Sequence, residues 1–409
     1  MSGAAAALAP TALAHAQAPA PSPPPEQRVR SAARDSRVKL GFDGQRFSGA
    51  AYDWLVEQGR AAHFFALGEE HGIAENAKLA AQLFRDLVPA GYRNAAIEIS
   101  APMAREIDQV ARSGMASLRS FLTTPGQQVA FFGMREEAEW LAAARSAVPA
   151  TVPVLWGTDY EVGADRHLIG LLKNMRKPAG AQVALARLEA ASAASWAEYA
   201  RTRGPQHIFS FSGDPALVKA VRAAWPGAGP RSAELLDTLE TTFEINRLYF
   251  ARQGYASNAL RAANLRANFL RQWRTAKEPR TFLKFGATHV VRGLTQVGTF
   301  DMGSLVSELA ATRGERSFHL LVLPGNDSRT AVFDPSDFAY KPSAPKDMYQ
   351  QGLSWMIDEA WPEAMTLFDT AKLRPAVYSA RTADPELVRA VFGFDAVLVM
   401  SRSTPSTNL

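Results

Sequence analysis

Residues 65–76 read FALGEEHGIAEN and place Glu69, Glu70, His71 and Glu75 directly behind a short apolar run. An imidazole among carboxylates can take a proton from water as a general base, or join them in holding a divalent ion. Gly68 and Gly72 stand on either side of His71, so the backbone can approach a ligand closely there. Three further positions carry the same chemistry. Glu98 interrupts the apolar run AAIEIS, Asp159 ends LWGTD, and His289 follows a strand-like run in KFGATHVVRG. Each also has a plainer reading. A buried carboxylate such as Glu98 must be paired, whether or not it is catalytic. Asp159 fits an Asx turn, and His289 fits a satisfied core histidine. Glu75, four residues after His71, can share its helix face or simply favour the positive end of the helix dipole. Glu69 and Glu70 compete for one inward position.

The elements that must position these residues can be read from apolar runs and their bounding turns. HFFAL (63–67), NAAIEI (94–99), VPVLWGT (152–158) and RTFLKFG (280–286) have the length of buried parallel strands. ENAKLAAQLFRDLV and REEAEWLAAARSAV supply helical patterns between the first three. The class expected is α/β, a parallel-sheet core flanked by helices. Helical pattern fills the gap between the third and fourth strands. A helical insertion over about residues 165–275 is therefore expected to cap the carboxyl ends of the strands. Further strands are expected at SFHLLVLPG, TAVFD and DAVLVMS. Ligands of parallel sheets bind beyond the carboxyl ends of the strands. There the four runs deliver His71, Glu98, Asp159 and His289 to one edge.

Composition narrows the partners. The chain of 409 residues is 47% hydrophobic, enough for a large core. Its charge of +5 is spread thinly, without a basic stripe, so no nucleic-acid partner is expected. No apolar run approaches the roughly 20 residues that span a bilayer, and no protein partner is evident. The absence of cysteine excludes thiol nucleophiles and thiolate metal ligands. P-loop, HExxH and GxSxG motifs are absent as well. Residues 1–37 read as the remnant of a signal peptide, ending near Ala14-His15-Ala16, followed by a Pro-rich linker. A periplasmic or secreted protein is expected, with its folded domain over 38–405.

These motifs resemble the erythromycin-esterase-like branch of a superfamily that also holds ChaN-like haem-binding and TraB/Tiki proteins. LGEEHGIAEN resembles the branch's strand-one motif, AIEIS its acidic second motif and LWGTDYE its Gly-x-Asp strand. RAANLRAN resembles its Arg…Asn helix, here Arg261 and Asn268, and KFGATHVVRG its histidine strand. FDAVLVMSRSTPS resembles its closing strand. Two departures stand out: GEEH is one residue short between Glu and His, and Gly286 occupies the place of a second histidine. The resulting pair GEEH and GATH resembles the ChaN and Tiki pattern.

The resemblance implies metal-independent hydrolysis of an ester, lactone or similar bond of a small-molecule substrate. His71 would activate water, oriented by Glu98 or Glu69, with Glu70 competing for the latter role. His289 would be the second acid/base and Asp159 would fix geometry. Glu75, Arg261 and Asn268 would contact substrate. No cofactor or metal is needed in that reading. Two alternatives are a ChaN-like periplasmic haem- or iron-binding protein and a metal-dependent hydrolase holding a divalent ion at His71 and His289.

Overall fold

The strands expected around the motif residues do lie side by side, in an order that local pattern could not supply. The computed structural model describes residues 24–345, 350–380 and 384–409. Its strands are β1 (Arg37–Phe42), β2 (Phe47–Ser48), β3 (Phe64–Glu69), β4 (Asn94–Ser100), β5 (Leu155–Asp159) and β6 (Thr281–Gly286). They continue with β7 (Ser317–Pro324), β8 (Thr330–Asp334), β9 (Ala339–Ser343), β10 (Met365–Asp369) and β11 (Ala396–Met400). Nine of them form one sheet in the order β2-β1-β10-β11-β7-β3-β6-β4-β5, while β8 and β9 pair separately. From β11 to β5 every pairing is parallel; β10, β1 and β2 extend the sheet antiparallel. The fold is α/β with a mostly parallel sheet, as expected.

Both faces of the parallel strands are covered, which is why they read as continuous apolar runs. Phe65 and Leu67 of β3 join one buried cluster with Ile97 and Phe282, while Phe64 and Ala66 join the opposite one with Leu283 and Phe285. The chain reaches β6 only after its long helical stretch, yet β6 inserts between β3 and β4. Leu283 thus registers with Ala66 on one side and Ala96 on the other. This crossover makes the ends of β3, β6 and β4 immediate neighbours. Within the helical stretch, Pro230–Phe250 and Gly254–Thr275 are the last two long helices. The second lies on the sheet face, with Phe269 and Trp273 buried beside Phe64.

Residues 25–36, expected to be linker, form a helix instead, with Val29 and Ala33 buried. Proline misleads here because Pro25 occupies the first helical turn, where no N–H is needed. Arg30 and Arg34 of this helix pair with Glu359, tying it to the C-terminal third. The signal cleavage point expected at Ala14–Ala16 lies outside the described residues. TAVFD forms a strand as expected, paired with β9 in a separate hairpin. No helix among the described residues is long and apolar enough to cross a membrane.

Candidate active site

Each chemically capable side chain sits where a strand releases the chain. His71 lies two residues past β3, in a turn closed by Gly72 at φ +85. A Cβ on Gly72 would stand 2.1 Å from the Ala331 carbonyl oxygen, so only glycine lets the β8 strand press on this turn. The His71 carbonyl accepts from Thr330 Oγ1 at 2.6 Å, and the Gly72 carbonyl accepts from the N–H groups of Ala331 and Ser406. Glu98 sits in β4 where its register against β5 shifts, the kind of irregularity that re-aims a side chain. Asp159 ends β5, and His289 lies in the single turn Ala287–Val290 that follows β6.

Glu98 is the node on which these groups converge. His71 Nε2 and His289 Nε2 each stand 3.2 Å from its carboxylate, on different oxygens. Arg261 Nη2 donates to it at 3.1 Å, and the Gly286 N–H donates to the oxygen that faces His71. Gly286 keeps this approach open, since a Cβ there would lie 3.1 Å from His71 Nε2. The other ring nitrogens are anchored by separate carboxylates. His71 Nδ1 bonds Glu69 Oε1 at 3.0 Å, and His289 Nδ1 bonds Asp301 Oδ2 at 2.7 Å. Each imidazole is thus oriented through Nδ1, as in a carboxylate–histidine dyad, and directs Nε2 to the shared centre. Arg261 forks onto Asp159 at 2.5–3.2 Å as well, a two-nitrogen clamp that a lysine could not make. The Phe131 ring stacks on His71 with centroids 4.0 Å apart. The His71 side chain stays 25% exposed while that of Glu98 is 2% exposed, so one imidazole meets solvent and the node does not.

Behind Glu69 lies a buried extension that sequence reasoning missed. Lys284, in the middle of β6, donates to Glu69 Oε1 at 2.6 Å and to both oxygens of Glu137 at 2.8 and 2.9 Å. All three side chains are almost fully buried. Glu69 Oε1 therefore serves both Lys284 and His71, while Oε2 has no hydrogen-bond partner.

The charges set the protonation states. Burial opposes charge on His71, but Glu98 and Glu69 outweigh it and push its pKa up to about 10. His289 is raised too: burial and Arg261 work against the charge, and Glu98 and Asp301 more than offset them. Burial would raise Glu98, yet the two histidines and Arg261 hold it well below the usual carboxylate range. Glu69 is likewise lowered against burial by Lys284 and His71. Burial pushes Glu137 up to about 7, with Lys284 pulling the other way. Five acids (Glu69, Glu98, Glu137, Asp159 and Asp301) thus face four bases (His71, His289, Arg261 and Lys284). The fully ionised cluster carries one net negative charge and becomes neutral when one acid takes up a proton. The raised pKa favours the imidazolium form of His71 at neutral pH.

The remaining expected residues are placed elsewhere. It is Glu69 that turns inward; Glu70 contributes its backbone carbonyl to the Asn76 side chain. Glu75 is buried, but its carboxylate accepts from the Thr404 N–H and hydroxyl, so it anchors the C-terminal tail instead of meeting the cleft. Asn268 donates to the Thr158 carbonyl at 2.9 Å and so secures the end of β5. Lys284, Glu137, Asp301 and Phe131 went unnoticed. Lys284 carried a usable signal, a charge inside the apolar run TFLKFG like that of Glu98 inside AAIEIS. Asp301 and Phe131 lie in loops whose approach depends on tertiary packing.

The donor set does not fit a divalent ion. Among the described residues no group of three or more His, Asp or Glu side chains is arranged to hold one. Arg261 and Lys284 supply the cations between the carboxylates, and each imidazole nitrogen already faces a carboxylate.

The chain shares its fold with three solved structures. A Bacillus cereus protein aligns over 94% of this chain and 99% of its own, at 15% identity and a TM-score of 0.58. A succinoglycan biosynthesis protein covers 94% of this chain and 98% of its own, at 13% identity and 0.61. A mutant of the erythromycin esterase EreC, in its open conformation, covers 90% of this chain and 98% of its own, at 14% identity and 0.59. No protein-family model matches the sequence, and no curated protein matches it.

Proposed function

We propose that this protein, which has the fold of an erythromycin esterase, is a hydrolase that activates water against an ester, lactone or similar bond. The observation that carries the reading is the pair of imidazoles, each anchored at Nδ1, whose Nε2 atoms converge on Glu98. In its neutral form His71 takes a proton at Nε2 from a water as the water oxygen attacks the carbonyl carbon. The negative charge that develops on the carbonyl oxygen is met by Arg261 and the Nε2–H of His289. As the tetrahedral intermediate collapses, the bond to the leaving oxygen breaks and that oxygen takes a proton from His71. Both histidines end as they began, and one water is consumed. Export is part of the proposal and rests on the Ala-rich N-terminus with its Ala14-His15-Ala16 site.

His71→Asn keeps a polar side chain but no base. On any ester that the wild type hydrolyses, turnover should fall by about 10²–10⁴, the usual contribution of a positioned base. An unchanged rate would overturn the assignment.

A further inference from the structure

Lys284 and Glu137 do not reach the cleft, yet they form the only other buried charged pair joined directly to Glu69 among the described residues. We propose that Glu137 is a positioning residue that sets the proton affinity of His71 through Lys284 and Glu69. The inference deepens the hydrolase reading, since it concerns the same imidazole.

Glu69 Oε1 is the hinge of the coupling because it receives both Lys284 Nζ at 2.6 Å and His71 Nδ1 at 3.0 Å. When Glu137 is ionised, the Lys284 charge is divided between two carboxylates, and Glu69 keeps more of its own for His71. When Glu137 takes up a proton, Lys284 bears on Glu69 alone and the His71 imidazolium loses part of its counter-charge. In such a largely buried network both effects are screened far less than at the surface. The coupling is reciprocal, so a proton on His71 in turn favours ionised Glu137. Glu137 is suited to this part because burial pushes it up to about 7, where both of its forms are populated near neutrality. The groups that face Glu137 are Lys284 from β6, Glu69 from β3 with His71 beyond it, and the Tyr340 phenol from β9. His71 is faced in turn by Glu69, by Glu98 with its own His289 and Arg261, and by the Phe131 ring.

The experiment is an NMR titration of the full chain labelled with ¹⁵N at the histidine rings, which needs no substrate. In the wild type the His71 ring signals should show their main titration in the alkaline range and a smaller inflection near neutrality, as Glu137 ionises. Glu137→Gln should abolish the small inflection and lower the main midpoint by about one pH unit, the low end of what an opposite charge within a few ångströms gives. Glu137→Asp retains the charge and should restore most of the wild-type behaviour. A single unmoved titration in the wild type overturns the proposal, even should the glutamine variant fail to fold. So does a shift of the same size and sign in the Asp and Gln variants, which marks a merely structural role. Because the readout is the imidazole itself, the result stands apart from whether the protein proves to hydrolyse esters.

Discussion

Replacing Lys284 by methionine should destabilise the protein more than any change at an exposed ion pair. The Lys284, Glu69 and Glu137 side chains are only 1–2% exposed, so water does not screen the loss. The substitution removes contacts of 2.6, 2.8 and 2.9 Å and leaves two buried carboxylates around a thioether. Breaking a buried pair from one side costs about 3–5 kcal/mol, chiefly for the charge left without a partner. Glu137 offers a partial escape, because it already titrates near 7 and can be buried neutral. Urea unfolding should therefore show a loss of about 3–5 kcal/mol at pH 8 and a smaller one at pH 6. Glu69 still has His71, so removing the orphaned acid as well, in Lys284→Met/Glu137→Leu, should recover all but about 1–2 kcal/mol. A single-variant loss below about 1 kcal/mol at pH 8, the scale of a surface pair, would refute the reasoning. A double variant no more stable than the single would refute it equally.

Three further outcomes follow from the same geometry. His71 has a raised pKa when folded, so the stability of its ion pairs is complete below about 6.5 and is lost as pH rises through about 10. The stability gap between wild type and His71→Asn, measured in urea, should thus be widest near pH 6 and nearly closed at pH 10.5. Thr404→Val removes a 2.7 Å hydroxyl bond to buried Glu75 and should cost about 1.5–3 kcal/mol, with faster proteolysis of the C-terminal tail; a tail as resistant as the wild type's would count against the anchoring role. Gly72→Ala forces a side chain into a left-handed turn against the Ala331 carbonyl and should cost at least about 1–3 kcal/mol, while shifting the His71 ring resonances.

Where the sequence could be read, a local signal matched the tertiary outcome. The four apolar runs became β3, β4, β5 and β6 because strands buried on both faces carry no polar alternation. Glu98 and Asp159 were legible because a charge within or at the end of such a run is costly unless it is used or paired. The order of strands was not legible. That β6 enters between β3 and β4 depends on how a long helical stretch returns to the sheet, and no local pattern encodes it. Strands β1 and β2 were lost for a different reason: β1 buries only one of its six residues and β2 has two residues, so neither shows the buried signature. Glu75 misled because its spacing from His71 satisfies a helix, whereas the chain turns at Gly72 and the helix begins only at Ala74. The protonation of His71 was hidden most deeply, since it arises from Glu98 and Glu69 acting together from two strands.

His71 must lose a proton before it can act, and the pH dependence of kcat/KM for an ester substrate reads that step. With His71 as the base and its pKa pushed up to about 10, the rate should climb about tenfold per pH unit from pH 6 and level off near 10. Glu98→Gln removes one of the two carboxylates that hold the proton, and the bend should move to lower pH by about 1–3 units. A profile that is flat or falling between pH 6 and 9 would contradict the account, as would a bend that Glu98→Gln leaves in place.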